Sequence, residues 1–236
     1  MNTVIHKANQ RGHADFGWLD SYHSFSFGNY YDPEKIHFGA LRVLNDDVVI
    51  GGRGFGFHPH DNMEIISIPL EGDLEHKDSL GSQAVIRSGD VQVMSAGTGI
   101  VHSEYNQSKT EPVKFLQIWI VPSRQNVKPR YDQITLGILE PNKFHLIVSP
   151  DPSDEGVWIH QQAWLHIGSF DRGLEAAYSK KLDGNGAYLF LLSGKILVNN
   201  LELNSRDAIG ITDTENIVIQ ILESSRILMI DVPMQL

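Results

Sequence analysis

The chain of 236 residues contains no cysteine. Disulfides and thiolate ligands are therefore excluded, and any bound metal must be held by His, Asp or Glu. No window of about 18 apolar residues exists to span a bilayer, and the start, MNTVIHKANQRGHADFGW, lacks the apolar core of a signal peptide. These absences predict a cytoplasmic protein with no membrane partner. Runs of five or more Lys or Arg are also missing, and the formal charge of -10 would repel a phosphate backbone, so no direct nucleic-acid contact is expected. Helical periodicity is scarce, and FDRGLEAAYSKKL (170–182) is too broken by its glycine to assign. Finally, none of the 11 histidines lies beyond His166.

With 41% hydrophobic and 20% charged residues, the chain reads as a folded globular protein. Short apolar or alternating runs separated by Gly, Asn and Asp recur throughout: 40–44, 46–52, 63–70, 90–97, 113–121, 144–149, 187–194, 195–200 and 216–222. This strand-and-turn punctuation predicts an all-β fold. A faint repeat organises it. ISIPLEGDLEHKD (66–78) aligns with YLFLLSGKILVNN (188–200), matching Gly72 to Gly194. IRSGDVQVM (86–94) aligns with LNSRDAIGI (203–211), matching Asp90 to Asp207. Two duplicated β domains are expected, joined in the polar segment 122–133. Given where the histidines stop, a His-based site is expected in the first domain only.

Two short constellations could build that site. In GFGFHPHDNMEIISIPLEG (54–72), His58 and His60 are two apart. On a strand they project to the same side, about 7 Å apart at Cα. In GDVQVMSAGTGIVHSEYN (89–106), His102 and Glu104 repeat that spacing, and Gly97 and Gly99 permit a tight turn before them. If the two strands are neighbours in a barrel, four ligands converge. Three neutral imidazoles and one carboxylate would leave a divalent ion with net positive charge, suited to an anionic oxygen donor or dioxygen.

These stretches resemble the cupin motifs. Gly52, His58, His60 and Glu64 follow the first, with Gly72 one residue late; Gly89, Gly97, His102 and Asn106 follow the second, with Ser95 in the proline position and two extra residues before the histidine. The departures are those of the pirin family, whose signature is similar to HPH, LEG and GDVQVMSAGTGIVHSE here. The resemblance runs over residues 11 to 122, weakens beyond, and is closest to bacterial pirin-like quercetin 2,3-dioxygenases. It implies a bicupin, two jelly-roll β-barrels in tandem, with a metal-binding domain at 1–130 and a degenerate, metal-free domain at 131–236. It also implies His58, His60, His102 and Glu104 as ligands of one ion. Fe(II) is favoured on this basis, with Mn(II), Ni(II), Cu(II) and Zn(II) as alternatives.

Two functions follow from the resemblance. One is an enzyme that opens quercetin or a similar planar flavonol or enol with O2, with Glu104 taking the hydroxyl proton. The other is a redox-sensing regulator acting through a protein partner, as eukaryotic pirins do. An apolar cavity over the metal would favour the enzyme. Glu64 is expected to be an outer or solvent-facing carboxylate rather than a ligand, since it lies about 13 Å beyond His60 along an extended strand. His76 is expected to be a partly exposed strand histidine, the alternative being that it orients a ligand. His23, Phe25 and Phe27 either wall the pocket or plug the barrel core. Trp158 and Trp164 are expected to pack between the domains, and His145, His160 and His166 are given no role.

Overall fold

A computed structural model describes residues 2–235. Its strands are β1 (Asn2–His6), β2 (Gly12–Asp15), β3 (Leu19–His23), β4 (Leu41–Val49), β5 (Gly54–His60), β6 (Glu64–Glu71), β7 (Leu74–Asp78), β8 (Gln83–Ile86), β9 (Asp90–Ser95), β10 (Ile100–Asn106), β11 (Val113–Ile120) and β12 (Arg130–Thr135). They continue with β13 (His145–Ser149), β14 (Val157–Trp158), β15 (Trp164–Phe170), β16 (Glu175–Ser179), β17 (Asn185–Val198), β18 (Leu201–Asn204), β19 (Ala208–Thr212) and β20 (Asn216–Pro233). The all-β expectation is met: the single helical element among the described residues is a 3-10 turn at Ala8–Gln10. No helix there is long and apolar enough to cross a membrane.

The first half is a two-sheet jelly roll. A seven-stranded sheet, β12-β9-β6-β11-β4-β3-β2, faces a four-stranded sheet, β5-β10-β7-β8. The second half is one nine-stranded sheet in which the long strands β17 and β20 pair along most of their length. Register shifts between Leu191 and Ile196 bend β17 at Gly194, whose φ of 94 suits glycine. This bend explains why the two runs 187–194 and 195–200 form one strand. Likewise 40–44 and 46–52 fuse into β4. Asn45, Asp46 and Asp47 look like a turn but lie mid-strand, Asn45 and Asp47 facing the barrel interior and Asp46 accepting from Arg206 Nε at 2.9 Å. The stretch 170–182 holds strand β16, not a helix.

The repeat is visible in hydrogen bonds. Asp90 accepts from the Arg87 amide and Asp207 from the Asn204 amide, each closing the turn before its strand. Each aspartate also anchors an edge strand from beyond its own half. Asp90 accepts from Thr135 at 2.6 Å on β12, and Asp207 from the Ala8 amide at 2.7 Å after β1. Accordingly β1 pairs with β19 while β12 pairs with β9. A cut at residue 130 leaves each sheet with one strand from the other side.

The halves share one apolar core. Leu44, Ile66, Ile68 and Val93 pack with Ile147, Ile159, Tyr188 and Ile230, all buried. Each such side chain contributes about 1.5–3 kcal/mol by leaving water. Because strands alternate, the other face of β6, Ile65 and Ser67, is turned to the interior of the first barrel.

Candidate metal centre and its cavity

Strands β5 and β10 are hydrogen-bonded neighbours, so the two His-containing pairs meet. His58 lies directly opposite His102, and a bulge after His102 sets Glu104 opposite Phe55. Before β10 the chain turns through Gly97 and Gly99, both at positive φ; a side chain on Gly97 would strike the Val127 carbonyl. The ligand atoms of His58, His60 and His102 lie within 4.8 Å of one another. His58 donates from Nδ1 to the Gly56 carbonyl at 2.7 Å, which leaves Nε2 as its free lone pair. His60 Nε2 and both ring nitrogens of His102 are buried without a partner.

Glu104 joins this group through His102 rather than through all three histidines. It accepts from Ser67 Oγ and from Gln117 Nε2, both at 2.8 Å, and with His76 and His102 forms a second group of donors within 4.8 Å. Both groups lie in the first half, and they are the clusters among the described residues that could hold a metal ion.

His76 corrects one expectation. It is fully buried on β7, directly across from Glu104, rather than partly exposed. Its Nε2 donates to Asp78 at 3.0 Å and its Nδ1 has no partner. Burial pushes the Asp78 carboxyl up, but hydrogen bonds from His76 and the Ser82 and Leu80 amides outweigh this and hold it below the usual range. An ionised Asp78 thus fixes the tautomer that turns a lone pair toward the donors. The signal was present in the sequence, since His76-x-Asp78 repeats the spacing of the other two pairs.

Glu64 corrects another. It is 1% exposed, neither solvent-facing nor near the donors, because it shares its face of β6 with Ile66 and Ile68. Ser95 Oγ donates to it at 2.7 Å, as does the His160 amide. Burial pushes its carboxyl up to about 7.

The electrostatics suit cation capture. Burial, with His58 adding, pushes His60 down to about 4. Burial and the neighbouring imidazoles of His58, His60 and His76 take His102 down to about 2. Burial raises Glu104 above the usual carboxylate value, against hydrogen bonds from Ser67 and Gln117 and the nearby histidines. Imidazoles that stay neutral at physiological pH, with orphaned lone pairs beside a carboxylate, fit a divalent metal.

The donors open onto a cavity of about 730 Å³. Trp18, Phe27, Phe55 and Trp119 line it, with Trp119 edge-on to His60 at 4.9 Å and Phe27 edge-on to Trp119 at 5.4 Å. The segment after β3 divides its roles. His23 and Phe27 wall the cavity, whereas Phe25 is buried in the shared core 5.5 Å from Tyr188. Trp158 packs between the halves, with the Arg130 guanidinium 3.9 Å over its ring; Trp164 lies on β15 opposite Asp231. His145 donates to the Glu140 carbonyl, the His160 carbonyl accepts from Ser123, and His166 is buried beside Tyr178, all away from the donors.

Residues 4–120 match the family profile described as Pirin, and residues 146–232 the one described as Quercetinase C-terminal cupin domain. The chain is 41% identical over 229 residues to a quercetin 2,3-dioxygenase of Escherichia coli K12, covering 97% of this chain and 98% of that one. It is 38% identical over 222 residues to a pirin-like protein of Caulobacter vibrioides, covering 93% and 95%. The crystal structure of the bacterial pirin YhhW in complex with nickel(II), from Escherichia coli, superposes with a TM-score of 0.93 at 40% identity, covering 98% of this chain and 99% of that one. By sequence over nearly its whole length and by its bicupin fold, the chain belongs to the pirin family.

Proposed function

We propose that this chain is a metal-dependent dioxygenase that opens quercetin or a similar flavonol or enol with O2, using His58, His60, His102 and Glu104 as ligands of one ion. The observation that carries this reading is the cluster of unpartnered imidazole nitrogens beside a buried carboxylate at the wall of an aromatic-lined cavity. The names of the relatives support the reaction class. An ion held there would supply Lewis acidity toward an enol oxygen and a position for O2, the substrate itself providing the electrons. Fe(II) is our choice over Mn(II), Ni(II) and Cu(II), and Zn(II) is disfavoured because it has no redox chemistry.

The chain's own residues supply the rest. Ser67 and Gln117 aim the Glu104 carboxylate, which is placed to accept the substrate's hydroxyl proton. Trp119, Phe27 and Phe55 offer faces and edges to a planar ring system and keep water from the reacting atoms. Asp78 orients His76, whose unpartnered Nδ1 lies in the group with His102 and Glu104 on the side away from β5.

An apolar cavity over the donors favours an enzyme over a regulator that works through a protein partner, and no feature of the site favours the latter. The test is loss of quercetin absorbance under O2 by protein reconstituted with each metal in turn. Turnover that tracks metal content is expected; no turnover by fully loaded protein with any of the five metals would overturn the reading.

A further inference from the structure

One wall of the cavity carries polar groups that the reaction above leaves unused. Ser21 and His23 of β3 lie directly opposite Asp47 and Asn45 of β4, forming a square of four polar side chains. Each is at most 4% exposed, and all four line the cavity. Ser21 Oγ donates to Asp47 Oδ1, and His23 Nε2 donates to Ser21 Oγ at 2.8 Å. That arrangement leaves a lone pair on His23 Nδ1, which is buried without a partner, as is Asn45 Oδ1. Buried acceptors left unpaired cost free energy and are rare in native proteins. Two of them, side by side on a cavity wall, call for a ligand that brings hydrogen-bond donors.

The fold itself does not require them. At the matching place in the second half, Leu146 stands opposite His166 where the first half has His23 opposite Asn45. The square is also within reach of a molecule seated at the metal ligands. Gln117, which donates to Glu104, is the cross-strand neighbour of Asn45, one strand spacing of about 5 Å away. Asp47, pushed up to about 7 by burial with Glu104 among its like-charged neighbours, belongs to the same electrostatic neighbourhood.

We propose that Ser21, His23, Asn45 and Asp47 form a hydroxyl-binding subsite, which makes the substrate a polyhydroxylated aromatic and not merely a planar enol. The pose rests on the dioxygenase reading, which puts the enol at the metal. Phenolic hydroxyls on the neighbouring ring then donate to Asn45 Oδ1 and His23 Nδ1, with Asp47 as a further acceptor. A site built to hydrogen-bond a hydroxyl discriminates strongly against the analogue lacking it, because its own buried groups are then left unpaired.

Binding, separated from turnover, tests this. Full-length protein loaded with nickel(II) is titrated under argon by calorimetry with quercetin and with 3-hydroxyflavone, which keeps the enol and loses the other hydroxyls. Wild type should bind quercetin at least about ten-fold tighter. In Asn45→Leu and His23→Leu that ratio should fall toward one, with the Kd for 3-hydroxyflavone changed less than about two-fold. A purely structural role would weaken both ligands together. Equal affinities in wild type, or an undiminished ratio in both variants, would overturn the subsite alone. Failure of wild type to bind either compound would overturn the flavonol reading and the subsite with it. The wild-type comparison decides even if a variant does not fold.

Discussion

The two halves are built on one plan and filled differently. In the first, Ser67 on β6 stands between Gln92 on β9 and Gln117 on β11; in the second, the same row is Ile209, Leu189 and Met229. Across the other pair of strands, Glu104 faces His76 in the first half, and Ile219 faces Val198 in the second. All five residues of the second half are buried in a continuous apolar cluster. These rows therefore close without a polar group; the buried polar groups of the second half, His166, Tyr178, Asn185 and Asp231, lie elsewhere in it and hydrogen-bond one another. The polar groups in the matching rows of the first half are not demanded by folding, and each one buried without a partner costs about 1–3 kcal/mol. The difference between the halves is the proposed ligand site.

Glu104→Gln should break that difference most severely. It keeps a weak oxygen donor but loses the base and one negative charge, so turnover should fall about 10²-fold or more. Metal content measured on the same sample separates an empty site from a missing base, and equal rates at full occupancy would remove Glu104 as proton acceptor. Installing the second half's residue by His76→Val comes next. It deletes the imidazole that Asp78 orients, and losing such an outer support should weaken metal affinity about 10- to 100-fold, read by competition with a chelator. Unchanged affinity would make His76 a packing residue.

Glu64→Gln has the smallest expected effect on the site and tests the motif glutamate that lies away from the donors. Turnover should stay within about three-fold, since Glu64 faces the shared core and not the donors. Stability should respond instead. With a folded value near 7 against 4.5 unfolded, Glu64 contributes stability fully present below pH 4.5 and lost as pH rises through 7. The loss amounts to about 3 kcal/mol. Denaturant unfolding across pH 4.5 to 8 should therefore fall less steeply in the variant; identical slopes would show that Glu64 is not the group responsible.

The spacing His58-x-His60 and His102-x-Glu104 was enough to locate the donors, because a strand's two-residue period converts sequence spacing directly into a shared face. The repeat was legible through Asp90 and Asp207, whose turns are local. What escaped depended on non-local pairing. Which face of β6 carries Glu64 depends on what covers it, and that cover comes from the second half. The exchange of β1 and β12 between sheets leaves no trace in either strand's own residues. Asn45 falls between the runs 40–44 and 46–52 and reads as punctuation because turn residues and cavity-lining polar residues are the same types; only the register with His23 distinguishes it. His76 reads by default as a partly exposed strand histidine, although Asp78 at the same two-residue spacing marks it as an oriented one.

Metal content of freshly purified protein tests the central claim most directly, that one half holds an ion and the other holds none. Elemental analysis of wild type beside the double variant His58→Ala/His102→Ala should give one ion per chain in the first and close to none in the second. A ratio unaffected by the double substitution, or a second ion that survives it, would contradict the account.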